Sequence, residues 1–157
     1  MSKSLKRVVG VLQAAGHDIT PHEMAVQTRT AQQAADAVNC NVDQIAKSII
    51  FAGETSSALF LFITAGGNAV DQSKATVLAG QPLGKADATL IRSQTGFAIG
   101  GVAPVGHLNP IRTFFDPRLL AFAVVYAAAG TPRHIFSIDP QVLAQIYSAE
   151  VADFISL

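Results

Sequence analysis

The residue most open to chemistry is Lys47, in the run Lys47-Ser48-Ile49-Ile50-Phe51-Ala52. The β-branched and aromatic content of this run predicts a strand, and strand alternation puts Lys47 on the same face as Ile49 and Phe51. A lysine on a buried face loses hydration unless an anion or a carbonyl receives it. Lys47 is therefore a candidate receptor for an anionic or carbonyl-bearing substrate. The competing reading places it at the strand end with its ammonium reaching water. A second candidate is the run Gly100-Gly101-Val102-Ala103-Pro104-Val105-Gly106. Glycines let a backbone approach a ligand closely, and the proline stiffens the loop. Free N–H groups in such a loop can hold a carbonyl oxygen as it gains negative charge. Taken alone, the run also reads as an ordinary turn. It is not a phosphate-binding P-loop, because Gly-Lys-Ser/Thr is missing.

Other chemistries find less support. His17, His22, His107 and His134 lack metal-ligand spacing, and Cys40 has no cysteine partner. No metal site is expected from that pattern, and no cofactor in the absence of a nucleotide-binding loop. A Cys–His nucleophile pair stays open on residue types, although a lone cysteine just after a helix more often fills core space. Gly-x-Ser-x-Gly does not occur, which argues against a serine hydrolase of the α/β type.

The elements that would position these residues can be read from spacing. Leu5, Val8, Val9 and Leu12 predict a helix capped by Ser4 and stopped at Gly16. Thr30-Ala-Gln-Gln33 reads as a capping box opening a second helix to about Asn39. Strands are expected over 47–52 and 58–64, joined as a hairpin, and again over 111–115, 120–127 and 134–138. Short helices are expected over 71–78 and 88–94, the latter ending at Gly96, with a Gly/Pro-rich loop or loop-flanked strand from Phe97 to Pro110. Asp139 and Pro140 cap a final helix running to Tyr147. Strands and helices do not alternate strictly. The expected fold is therefore α+β, a single domain over 1–157 with a mixed, mostly antiparallel sheet flanked by helices.

Composition bounds the function. Hydrophobic residues make up 50% of the 157 and charged residues 14%, which fits one well-packed domain. The longest apolar stretches, such as Leu119 to Ala129, fall short of the roughly 20 residues a bilayer requires, so no membrane partner is expected. The N-terminal Met-Ser-Lys-Ser-Leu-Lys-Arg runs into a helical pattern without an apolar leader. Together with the single cysteine, that makes the cytoplasm the expected location. Formal net charge is zero. That balance weighs mildly against nucleic acid, and an RNA partner would be held through few phosphates.

Several of these residues fall into one ordered pattern: Thr30-x-x-x-Ala34-Ala35, Ile45-x-Lys47-Ser-Ile-x-Phe51, Val70-Asp71-x-x-Lys74, Thr95-Gly96-Phe97-x-x-Gly100-Gly101-Val102-x-Pro104-x-Gly106, and Ala129-Gly130. The pattern resembles the YbaK/EbsC family, whose domain is also found inserted in bacterial prolyl-tRNA synthetases. The resemblance spans nearly the whole chain. It implies a trans-editing hydrolase that cleaves a mischarged small amino acid (Ala, Cys, Ser or Thr) from tRNA, with tRNA-Pro the expected carrier. It implies the aminoacyl-tRNA 3′ end as partner, with prolyl-tRNA synthetase a candidate second one. Lys47, Gly100, Gly101 and Pro104 would be the catalytic residues, the last three in the loop beside the lysine. Thr30, Ile49, Phe97, Val102, Ala129, Gly130 and His134 would bind substrate. A frequent family serine before Gly130 is alanine here (Ala128 or Ala129), which leaves the amino-acid specificity open. The alternatives are a non-catalytic tRNA- or synthetase-binding module of the same fold, and an unrelated small-molecule or nucleotide-binding α+β domain.

Overall fold

Seven consecutive residues, Leu59–Ala65, are all buried. A strand of that kind must be covered on both faces, and the rest of the chain supplies the two covers. The computed structural model describes all residues, Met1–Leu157. In chain order the elements are α1 (Lys3–Ala14), β1 (His22–Glu23), α2 (Ala31–Val38), β2 (Ile45–Gly53), β3 (Leu59–Ala65), α3 (Gln72–Ala79), β4 (Leu83–Lys85), α4 (Ala88–Thr95), β5 (Arg112–Phe115), β6 (Val125–Thr131), β7 (His134–Ile138), α5 (Pro140–Ile146) and β8 (Glu150–Val151). Short 3-10 turns cover Val42–Gln44 and Pro117–Ala121.

The strands form one eight-stranded sheet in the order β1-β7-β6-β2-β3-β5-β8, with β4 paired to β2 off that path. Pairing is antiparallel for β1/β7, β2/β3, β2/β4 and β6/β7, and parallel for β2/β6, β3/β5 and β5/β8. The fold is thus the α+β single domain with a mixed sheet that the spacing predicts. Alternation along β3 sorts the two covers. Leu61 and Ile63 join the larger core with Leu5, Val8 and Leu12 of α1, Phe97, Val105 and Leu143. Phe60 and Phe62 join Phe114, Phe154 and Ala75 of α3 on the opposite face. There the Phe62 ring stacks on Phe114 at 5.0 Å and meets Phe154 edge-on at 5.0 Å. Each such ring contributes about 1.5–3 kcal/mol of apolar burial, so this layer fixes the central hairpin firmly. A third patch, Ala34, Ala35 and Ile45, seats α2 beside β2.

Several boundaries differ from the spacing. Ser2, not Ser4, caps α1, because its hydroxyl is the one that accepts the Leu5 N–H. The strand expected over 120–127 starts only at Val125 and runs to Thr131. The preceding apolar residues instead complete a 3-10 turn started by Asp116 and Pro117, whose cap outcompetes the apolar run. β2 begins two residues before Lys47, at Ile45. The very short β1, β4 and β8 carry no strand signal of their own and exist through pairing. The capping box at Thr30 and the Asp139 cap are both present.

One edge of β2 is fully paired with β3. Its other edge is shared: β6 takes Ile45 and Ala46, and β4 takes Phe51, Ala52 and Gly53. Residues 47–50 lie between, with no strand beside them on that edge. The ladder between β6 and β7 shifts register between Ala128 and Thr131, around Gly130 at φ 99°. Such an irregularity bends a strand, and here it accompanies the departure of β6 from β2.

No helix is long and apolar enough to cross a membrane.

Candidate functional site

A cavity of 460 Å³ opens at that gap. Residues 45–50 of β2 form one wall and Tyr126–Ala128 of β6 another, with Thr28–Ala31 at the start of α2 and Ile99, Gly100 and Val102 closing the sides. Its size suits a small-molecule moiety. Its charge is one-sided: Arg29, Lys47 and Lys85 line it with His134, and no Asp or Glu does. In a chain of zero formal net charge, that segregation favours an anionic ligand.

Lys47 is half-buried, and its Nζ donates to the Gly66 carbonyl at 3.3 Å. Burial lowers its pKa from the usual lysine value, while the negative charges of Asp116 and Asp43 pull it back up. The turn that presents Gly66 is held on several sides. Buried Asp116 accepts the Ala65 N–H at 3.0 Å and the Asn68 amide at 2.9 Å. Asp43 accepts the Gly67 N–H at 2.9 Å and pairs with Arg118 at 3.0 Å. Gly66 has no room for a side chain, since a Cβ there would strike the Val42 carbonyl and come within 2.9 Å of Ala31. The carbonyl facing Lys47 is therefore set by a rigid turn.

The Gly/Pro loop reaches the cavity through its first part. Gly100, at φ 88°, and Val102 line it. Gly101 does not: its N–H is donated to Ala98 at 3.0 Å, and a Cβ would come within 2.9 Å of Thr131 backbone. Pro104 is buried behind the wall. Gly101 and Pro104 are thus parts of the loop's seating. The amides of the three loop residues that line the cavity, Ile99, Gly100 and Val102, find no protein acceptor, as do several others in the loop.

The seating is elaborate. Arg7 donates to the Gly106 carbonyl at 2.6 Å and to Thr95 at 3.3 Å, and its guanidinium lies 4.7 Å from the Phe97 ring centre. The Tyr147 hydroxyl accepts the Gly106 N–H at 3.2 Å. His107 Nε2 lies 2.8 Å from the Ala103 carbonyl. A carbonyl only accepts, so Nε2 carries the proton and the buried Nδ1 is left without a partner. Burial pushes the His107 pKa down from 6.5, the Ala103 bond opposes this, and nearby Arg7 adds to the lowering.

Among the residues read from the sequence, Thr30, Lys47, Ile49, Gly100, Val102 and His134 meet at the cavity. His134 Nδ1 is 2.6 Å from the Thr131 hydroxyl, and Nε2 is 4.0 Å from Glu23. Phe97 and Ala129 do not line it: both are core residues, 1% and 0% exposed. Gly130 is also behind the wall, where a Cβ would come within 2.8 Å of the Ser4 carbonyl and 3.1 Å of Phe97. Cys40 lies off the cavity, with its thiol directed to the Asn41 carbonyl and its pKa raised by burial. No cluster of His, Cys, Asp or Glu is arranged to hold a metal ion. Sequence reasoning missed Arg29 and Tyr126, which gave no signal beyond being a cation before a helix cap and an aromatic in a strand.

Comparison with known proteins fits this geometry. The family described as the aminoacyl-tRNA editing domain matches residues 25–146. An uncharacterized protein of Bacillus subtilis (strain 168), YwhH, is 28% identical over 135 residues, covering 86% of this chain and 84% of that one. A crystal structure of a protein proposed to be a trans-editing enzyme for prolyl-tRNA synthetase is 43% identical, with a TM-score of 0.92 over 100% of this chain and 99% of that one. A structure from work grafting epitopes onto scaffold proteins is 41% identical, with a TM-score of 0.92 and full coverage of both chains. By the match over residues 25–146, the chain belongs to the aminoacyl-tRNA editing domain family.

Proposed function

We propose that this protein is a free-standing aminoacyl-tRNA deacylase that hydrolyses the ester of a small mischarged amino acid, with tRNA-Pro as carrier and prolyl-tRNA synthetase as the source of the error. The observation that carries the reading is the one-sided cavity, which Lys47, Arg29 and Lys85 line together with Gly100 and Val102 and which no carboxylate lines. An aminoacyl ester is already activated, so hydrolysis needs positioning and charge stabilisation more than a strong nucleophile. Water adds to the ester carbonyl carbon. The bond to the ribose oxygen then breaks, the amino acid leaves, and the ribose oxygen recovers a proton. In this reading the Gly100 and Val102 N–H groups stabilise the oxyanion. Lys47 serves as a compact positive charge for the ester or its neighbouring phosphate. A pocket of this kind excludes larger amino acids by size and rejects smaller ones weakly.

Single-turnover hydrolysis of Ala-, Cys-, Ser- and Thr-charged tRNA-Pro tests this. Lys47→Ala should lose about two to three orders of magnitude in rate. Lys47→Arg should recover little, because a planar fork does not replace a point charge. Cys40→Ser should hydrolyse at the wild-type rate. An active Lys47→Ala beside a dead Cys40→Ser would overturn the assignment.

A further inference from the structure

The exposed edge of β2 can be resolved atom by atom. Gly53 donates its N–H to the Ala58 carbonyl at 2.9 Å, and the register places these two residues opposite one another. Antiparallel strands alternate, so Gly53, Phe51, Ile49 and Lys47 turn both backbone groups toward β3. Ala52, Ile50, Ser48 and Ala46 turn theirs to the other edge. There Glu54 continues the series by donating to Pro82 at 2.9 Å, Ala52 is paired with β4, and Ala46 is paired with β6. The Ile50 C=O faces Ala86 at the end of β4, where Phe51 pairs with Lys85; the Ser48 N–H and C=O and the Ile50 N–H remain, turned toward the cavity with no strand to receive them. The Ser48 hydroxyl is also buried without a partner. A run of unmet backbone groups inside a protein is costly unless a ligand meets it.

We propose that this free edge, the main-chain carbonyl and amide of Ser48 and the amide of Ile50 between β4 and β6, is the receptor for the α-ammonium and carbonyl groups of the bound aminoacyl moiety. The inference rests on the deacylase reading and deepens it. An aminoacyl ester brings a cation into a cavity whose charged groups are themselves cations, with no carboxylate to receive it. The Thr30 and Thr131 hydroxyls that also line it are already engaged with Gln33 and His134. The Ser48 carbonyl and the unpartnered Ser48 hydroxyl are acceptors left on the β2 wall, and hydrogen bonds to a charged donor are the strong kind. The amino acid thereby adds to β2 as one residue of a missing strand, as a peptide does at an open sheet edge.

The test removes the ammonium and nothing else. Alanyl-tRNA and propionyl-tRNA are hydrolysed by the intact protein, each rate being divided by the spontaneous hydrolysis of the same ester. Loss of one charge-assisted hydrogen bond predicts a preference for the alanyl ester of about 10- to 100-fold. In parallel, backbone amide NMR follows titration with 3′-deoxy-3′-(alanylamino)adenosine and its propionyl counterpart. The alanyl compound should move the Ser48 and Ile50 amides, and the propionyl compound should bind more weakly. Equal normalised rates, or alanyl binding that leaves these two amides unmoved, would overturn the proposal. If no ester is cleaved while the ammonium-dependent shifts at Ser48 and Ile50 appear, the edge stands and the deacylase reading falls.

Discussion

At the scale of single residues, Lys47 illustrates a site maintained against the interest of stability. Its ammonium gives up hydration in the cavity wall, and its pKa falls below 10.5 because burial outweighs the opposing pull of Asp116 and Asp43. In the unfolded chain the group keeps its ordinary affinity for the proton. Between the lowered folded pKa and 10.5 the unfolded state therefore binds more protons, so stability rises with pH across that window and the penalty is complete below it. Lys47→Met retains the aliphatic stem and drops the charge. Its melting temperature at pH 7 should equal or exceed that of the wild type, with deacylation lost, and the two should converge as the pH nears 10.5. Thermal scans over pH check this. A variant several degrees less stable at pH 7 would mean that the bond to Gly66 and the two carboxylates outweigh desolvation.

At the scale of elements, the Gly/Pro loop is held from behind by groups that do not line the cavity. His107 is the titratable member of that brace. Its folded pKa lies below the 6.5 of the unfolded chain, so the unfolded state takes up a proton first as the pH falls through that value. Stability should decline downward from pH 6.5, with loosening concentrated in residues 97–107. His107→Gln keeps a donor for Ala103 and cannot titrate, so it should flatten the decline. Hydrogen exchange at the loop amides as a function of pH reads both. Much of this layer was legible in the sequence. The Thr30 capping box, the Asp139–Pro140 start and the apolar hairpin all follow from short-range chemistry. The 119–121 run misled because it is as apolar as a strand while Asp116 and Pro117 wind it into a 3-10 turn. Arg7, Tyr147 and Asp116 could not be read, because their partners lie far along the chain. Phe97, Ala129 and Gly130 match the family pattern yet sit one layer behind the cavity, where close packing rather than contact with a ligand explains their small or apolar character.

At the scale of the whole molecule, zero net charge with three cations at one cavity implies attraction that is local and limited. Binding of uncharged tRNA should weaken with salt, with a slope set by few phosphates. Each contact to single-stranded RNA contributes about 0.7 to that slope. Arg29→Ala and Lys85→Ala should each reduce it by about that amount, while Lys3→Ala, on a residue that does not line the cavity, should leave it unchanged. Filter-binding titrations over a salt series decide the matter. The gap in the sheet also bears on how such a protein changes over generations. Mutation replaces side chains; it cannot replace an amide or a carbonyl of the main chain. A pocket whose attachment point is the exposed backbone of β2 can lose or exchange Ile49, Val102 or Ala128, and with them its preference for one amino acid over another, while the edge at Ser48 and Ile50 persists as long as the strand itself is drawn the same way. Selectivity in this architecture can drift freely on the walls, because the anchorage is written in the part of the chain that every residue shares.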